Sequence, residues 1–139
     1  MAAKPLHRNF FQRILGICAT PPPQDHECWT HRNGTVVIDL ERATELSSPD
    51  SAVRLEGKDL SKRLLVLHGG DGAFHAYCNK CGHGGRRLDP VPDGDSVQCC
   101  SVGKTTYDYS GNVISGPAKK ALVSFPVKQE GTKLVISLP

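Results

Sequence analysis

The sequence predicts an all-β domain, and three features predict it. There are 14 Gly and 10 Pro against only 6% aromatic residues, which favours short strands and many turns over a helical bundle. Residues 35–40 read Thr-Val-Val-Ile-Asp-Leu, a β-branched run suited to a pleated, half-buried surface. The apolar runs 63–68 and 73–78 flank Gly69-Gly70-Asp71-Gly72, which is the turn chemistry of a hairpin. A chain of 139 residues is one domain by size. Folding buries about two-thirds of its unfolded surface, so no metal is needed merely to fold it.

In chain order, residues 7–17 place Phe10, Phe11, Ile14, Leu15 and Ile17 on one helical face with Asn9 as a cap. This is a short amphipathic helix, expected to dock on its own domain; the sharper alternative is a partner or membrane surface. Pro21-Pro22-Pro23 then forces an extended linker. Residues 1–34 are thus an N-terminal helix and Pro-rich linker, and 35–139 the folded domain. Cys18 and Cys28 flank the linker and read as partly buried thiols, with a disulfide or metal pair as the alternative. Trp29 reads as core. Residues 41–46 turn briefly helical before the loop Ser47-Ser48-Pro49-Asp50. Asp93-Gly94-Asp95 is a turn, and residues 96–99 are a strand. After Tyr107, the turn Ser110-Gly111-Asn112 leads to a short strand ending at Ser115. The strand pair 123–128 and 133–138 around Glu130-Gly131 completes the sheet.

The net charge of +3 is too small to argue for nucleic acid, and the basic residues lack interleaved aromatics. No apolar run approaches the roughly 18 residues of a transmembrane segment. The most apolar N-terminal stretch, 10–19, is interrupted by Gln12 and Arg13, which argues against a secretory signal. The cysteines are therefore expected in a reducing cytoplasm, where clustered Cys and His mean metal more often than disulfide. Gly103-Lys104-Thr105 invites a phosphate-loop reading, but the glycine required five residues earlier is Gln98. His68-Gly69-Gly70 has no Gly-x-Ser-x-Gly to accompany it as an esterase loop.

Four of the six cysteines lie between positions 78 and 100. The first stretch reads Cys78-Asn-Lys-Cys81-Gly-His83-Gly84, and the second Cys99-Cys100-Ser-Val-Gly103-Lys-Thr105-Thr-Tyr107-Asp108. Two short loops thus offer thiolate or imidazole to a single centre, a soft donor set suited to iron–sulfur or zinc and ill suited to calcium or magnesium. These residues resemble the Rieske-type [2Fe-2S] domain. Its first loop carries Cys-x-His followed by Gly and Leu, matched by Cys81, His83, Gly84 and Leu88. Its second loop opens Cys-Pro-x-His and continues through Gly to an aromatic-Asp pair. If Cys100 opens that loop, Tyr107-Asp108 falls on the pair and Gly103 on the histidine. If Cys99 opens it, Gly103 falls on the glycine and Val102 on the histidine. Either way the second histidine is absent. Residues 110–118, with Pro117, are similar to the turn, strand and proline loop that cover the cluster in this family, so the resemblance spans roughly 35–139.

The resemblance implies a Rieske-like sandwich in which two hairpin loops form a cluster-binding subdomain, with a [2Fe-2S] cofactor. Cys81 and His83 are two expected ligands. Cys99 and Cys100 complete a three-Cys, one-His set, with Cys78 as the alternative fourth ligand. Neighbouring residues of a strand point to opposite faces, so joint ligation by Cys99 and Cys100 requires a sharp turn between them. Tyr107 sits where the family places a phenol bonded to a cysteine sulfur, Thr105 where a hydroxyl bonds a bridging sulfide, and Gly103 and Pro117 in the surrounding loops. The cysteine pair that locks the loops in respiratory Rieske proteins is replaced by Arg86 and Val102, which implies a ferredoxin-like relative.

The expected function is therefore to pass single electrons to or from a partner oxidoreductase, with no substrate chemistry, since the chain is too short to add an oxygenase iron domain. Arg86, Arg87, Lys104, Lys119 and Lys120 lie on or beside the loops and imply a partner with an acidic docking face. A structural zinc site at Cys78, Cys81, Cys99 and Cys100 or His83 is one alternative, and a metal-free Rieske-like interaction module another. His75 is expected to be a hydrogen-bonded structural histidine, with an extra ligand as the lesser reading.

Overall fold

An unbroken apolar run has no face to give to solvent, and Leu64-Leu65-Val66-Leu67 is buried on both sides. The computed structural model describes residues 20–80, 86–91, 94–100 and 104–139. The expected helix over 7–17 and Cys18 lie outside them. The strands are β1 (Trp29–Arg32), β2 (Thr35–Asp39), β3 (Ser51–Leu55), β4 (Leu64–His68), β5 (Phe74–Cys78), β6 (Leu88–Val91), β7 (Ser96–Cys99), β8 (Thr106–Asp108), β9 (Val113–Ser115), β10 (Ser124–Phe125), β11 (Val127–Glu130) and β12 (Lys133–Ser137). They form three four-stranded antiparallel sheets: an outer sheet β1-β2-β12-β11, a central sheet β10-β5-β4-β3, and a third sheet β6-β7-β8-β9. The all-β sandwich expected from the sequence is the observed architecture.

Alternation along the strands of the central sheet feeds two cores. Leu64, Val66, Ala76, Val53 and Leu55 pack against Val36, Ile38, Leu134 and Ile136 of the outer sheet. Leu65, Leu67 and Tyr77 face the other way, onto Leu88, Val97, Cys99 and Tyr107 of the third sheet. The third sheet carries the segments on either side of the two sequence-predicted loops: residues 79–87 connect β5 to β6, and 100–105 connect β7 to β8.

Strands β1, β3 and β6 are among those not expected from the sequence. β1 pairs with β2 through Asn33-Gly34, whose φ angles of 52° and 76° are those of a type I′ hairpin turn. The folded domain therefore begins at least at Trp29, within what reads as linker. β3, with Val53 and Leu55 buried, covers the edge of β4. β6 contains Pro90, which a strand tolerates because β6 lies at the edge of its sheet. The brief helix expected over 41–46 is a 3-10 turn at Thr44–Leu46, and Pro126 splits the expected strand 123–128 into β10 and β11.

Ile38 is fully buried between Trp29 of β1 and Leu134 of β12. Truncation there removes apolar contacts and leaves a cavity, so Ile38→Ala should destabilise the fold by about 3 kcal/mol. A shift of the urea unfolding midpoint at constant slope measures it.

Candidate metal centre

The first loop is closed at its base by one buried amide. Asn79, immediately after β5, accepts the Leu88 backbone N–H through Oδ1 at 2.7 Å, while its own N–H donates to the Arg63 carbonyl at 2.8 Å. Only an oxygen can accept from Leu88, so the amide orientation is set and Nδ2 is left as a donor. Among the described residues that buried Nδ2 has no acceptor. The return of the loop is held from outside, where Arg87 makes a bidentate pair with Glu56 (2.8 and 2.8 Å) that Arg54 joins at 3.1 Å. Cys81, His83 and Gly84 lie within the loop, outside the described residues.

The second loop leaves β7 under equal constraint. The Cys99 N–H donates to the Thr105 carbonyl at 2.8 Å and the Cys100 N–H to the Arg87 carbonyl at 3.0 Å, so the two loops are tied by backbone. Gly103 lies outside the described residues. Thr105 is fully buried, and its Oγ1 accepts the Ala118 N–H at 3.3 Å. Gly116, at φ +95°, lies so close that a Cβ there would collide with the Thr105 backbone. The segment around exposed Pro117 is thereby seated on the second loop, with Ala118 in the same core as Cys99 and Tyr107.

The described thiols at the two loops, Cys78, Cys99 and Cys100, point to three different places. Cys99, 1% exposed, faces the central sheet among Leu88, Val97, Tyr107 and Ala118. Cys100, also 1% exposed, donates its thiol to Asp89 Oδ2 at 3.3 Å. Leu88 pairs with Cys99 and Asp89 with Gln98, so Asp89 and Cys100 share the opposite face of the third sheet. Cys78 packs with the first core, beside Leu64 across the ladder. The backbone stays extended through Cys99, so the side chains of Cys99 and Cys100 alternate between the two faces of the third sheet. Among the described residues no three His, Cys, Asp or Glu side chains converge, and Cys81 and His83 of the expected sets lie outside those residues. Tyr107 is fully buried in the core shared with Cys99.

His75 is occupied elsewhere. It sits at the start of β5 with Nε2 against Asp71 Oδ2 at 3.0 Å and its ring stacked on Tyr109 at 4.4 Å. Cys78 marks the loop end of that strand. Tyr77 crosses to the third sheet, donating its hydroxyl to the Tyr109 carbonyl at 2.7 Å, and burial raises its pKa far above the usual phenol range.

Residues 37–126 match the Rieske [2Fe-2S] domain family. The chain belongs to that family. Among curated proteins this Rieske chain is similar to the ferredoxin component of a naphthalene 1,2-dioxygenase system from Pseudomonas aeruginosa, with 30% identity over 88 residues, 62% of this chain and 79% of the relative. In fold it is similar to the ferredoxin of carbazole 1,9a-dioxygenase from Nocardioides aromaticivorans (TM-score 0.58, 18% identity, 68% of this chain and 93% of the other). It is also similar to a quaternary ammonium Rieske monooxygenase (TM-score 0.55, 15% identity, 80% of this chain), of which it spans only 32%.

Donor chemistry tests the fit of a cluster. The family's Cys-x-His lies in a loop closed by Asn79, a buried donor at its base has no acceptor among the described residues, and Cys99 shares a core with Ala118 of the proline segment. These features fit an iron–sulfur group. Cys100 is turned onto Asp89.

The Arg87–Glu56 tie also has a pH signature. Hydrogen bonds from Arg87, and then from Arg54, outweigh burial and lower the Glu56 pKa from 4.5 to about 2. A lowered folded-state pKa contributes stability above the unfolded value and loses it as pH falls toward the folded one. Acid unfolding should therefore steepen between pH 4.5 and about 2, and Glu56→Gln should flatten that part of the stability profile.

Proposed function

We propose that this Rieske chain is a ferredoxin-like electron carrier, passing single electrons to or from a partner oxidoreductase of the oxygenase type. The observation that carries it is the convergence of the Asn79-closed first loop, Cys99 and the Gly116–Ala118 segment in a chain of the Rieske family. The similarity to a dioxygenase ferredoxin component points the same way. Cys81, His83 and Cys99 would supply three of the four protein ligands that a [2Fe-2S] cluster takes. When bound, that cluster supplies a one-electron couple.

The protein's part is to hold and tune. The Ala118 amide fastens Thr105 and leaves the threonine hydroxyl proton to donate, while buried Tyr107 lies in the same core as Cys99. Donors to sulfur stabilise the added negative charge of reduction. Leu65, Leu88 and Leu122 exclude water from the floor of the site. The reducing cytoplasm is the compartment that keeps such thiols available.

A second reading, a Rieske-like interaction module without metal, is favoured by the orientation of Cys100 and by the lack of an imidazole in residues 100–105. Iron content separates the two. After anaerobic reconstitution the carrier should hold about two irons and two sulfides per chain and absorb in the visible. Cys81→Ala should abolish both; a wild-type protein that stays colourless selects the module.

Partner recognition follows from charge. Lys104, Lys119 and Lys120 are exposed beside the loops, which suits an acidic docking face on the redox partner. Reversing Lys104 and Lys119 together to Glu should slow electron transfer about tenfold or more at low salt and far less at high salt, because attraction between exposed charges is screened. Stopped-flow reduction across a salt series measures it.

A further inference from the structure

Behind the third sheet, on the face away from the central sheet, lies a buried polar group that the electron-carrier reading leaves unused. Asp89 is 1% exposed. Its Oδ1 accepts both the backbone N–H of Thr20, at 2.8 Å, and the Thr20 hydroxyl, and its Oδ2 accepts the Cys100 thiol at 3.3 Å. Thr20 is itself 6% exposed. A carboxylate taken out of water is tolerated only where its oxygens are bonded, and here the bonds come from residues 69 positions apart and from the adjoining strand. The segment that follows Thr20 is fastened as well, since the Pro21 carbonyl accepts the Arg54 N–H at 3.0 Å.

The Cys100 backbone is held at the same time, through its N–H to the Arg87 carbonyl. With both its backbone and its thiol committed on the outer face, residue 100 forces the preceding residue inward, because successive strand side chains alternate. That inward residue is Cys99, which lies beside Ala118 and Tyr107.

We propose that Cys100 is a positioning residue and not a cluster ligand. Its thiol, clamped by Asp89 together with Thr20, locks the second loop to the N-terminal segment and aims Cys99 at the centre. The aim of Cys99 rests on the cluster reading above, whereas the clamp does not.

The test uses the full-length protein, reconstituted anaerobically, with Cys99→Ser, Cys100→Ser, Cys100→Ala and Asp89→Leu variants. Iron and sulfide content, the visible circular dichroism spectrum and the melting temperature of the metal-free form are measured for each. Cys99→Ser should lose the cluster or shift its absorption; Cys100→Ser, which keeps a donor to Asp89, should keep wild-type content and spectrum; Cys100→Ala should keep its iron and sulfide but change its visible circular dichroism, because Cys99 is then less firmly aimed. In the metal-free form Cys100→Ala should melt about 5 °C below wild type, with Asp89→Leu lower still, since a hydrogen bond to a buried charge is lost. Cys100→Ser, which restores a donor to Asp89, should recover most of that loss. Loss or alteration of the cluster in Cys100→Ser to the same degree as in Cys99→Ser would overturn the proposal by making Cys100 a ligand. An unchanged melting temperature in Cys100→Ala would overturn the clamp. If the wild-type protein takes up no iron, the cluster reading fails, and the clamp stands or falls on the melting temperatures alone.

Discussion

The structure depends on a sheet that is buried on both faces. In β4, Leu64 and Val66 belong to the core shared with the outer sheet, and Leu65 and Leu67 to the core shared with the third sheet. A register slip of one residue would exchange the two sets, so both cores together specify the pairing of β4 with β3 and β5. The same alternation runs along β5 and sends Tyr77 toward the third sheet while Ala76 and Cys78 face the outer one. The position of Cys78, at the end of β5 next to the first loop yet packed toward the outer sheet, is a consequence of that partition.

The second core is the floor on which the loops stand. Apolar side chains from the central sheet meet Leu88, Val97 and Tyr107 beneath the ends of β6, β7 and β8. Above that floor the polar groups are handled one at a time: Asn79 for Leu88, Thr105 for Ala118, and Asp89 for Thr20 and Cys100. Burying such groups without partners costs about 1–3 kcal/mol each. Among the described residues the buried Asn79 Nδ2 at the base of the first loop is left without an acceptor.

Opposite orientations for adjacent cysteines follow from strand geometry alone. Cys99 ends β7 in the extended conformation and Cys100 continues it far enough to bond across to Arg87. One thiol enters an apolar core beside the loops, and the other meets a carboxylate that also fastens Thr20. A chain with two neighbouring thiols therefore presents one of them to the loop side of the third sheet.

The sequence by itself determined the elements whose signals are local. The β-branched run at 35–39, the hairpin around Gly69–Gly72, the strand before Cys99 and the closing pair around Glu130-Gly131 follow from alternation and turn chemistry read over a few residues. The Cys81–His83 spacing, with the glycines, Leu88 and Tyr107-Asp108, carried the family in the same way. The hairpin at Asn33-Gly34 carried a readable signal that the preceding prolines obscured. Tertiary structure alone decided which face each side chain takes, because a strand's face is set by its register with partners distant in sequence. Leu88 opposite Cys99, Leu64 opposite Cys78, and Thr20 on Asp89 across 69 residues are pairings that no short window contains. Those pairings, and no property of the cysteines themselves, separate Cys78, Cys99 and Cys100.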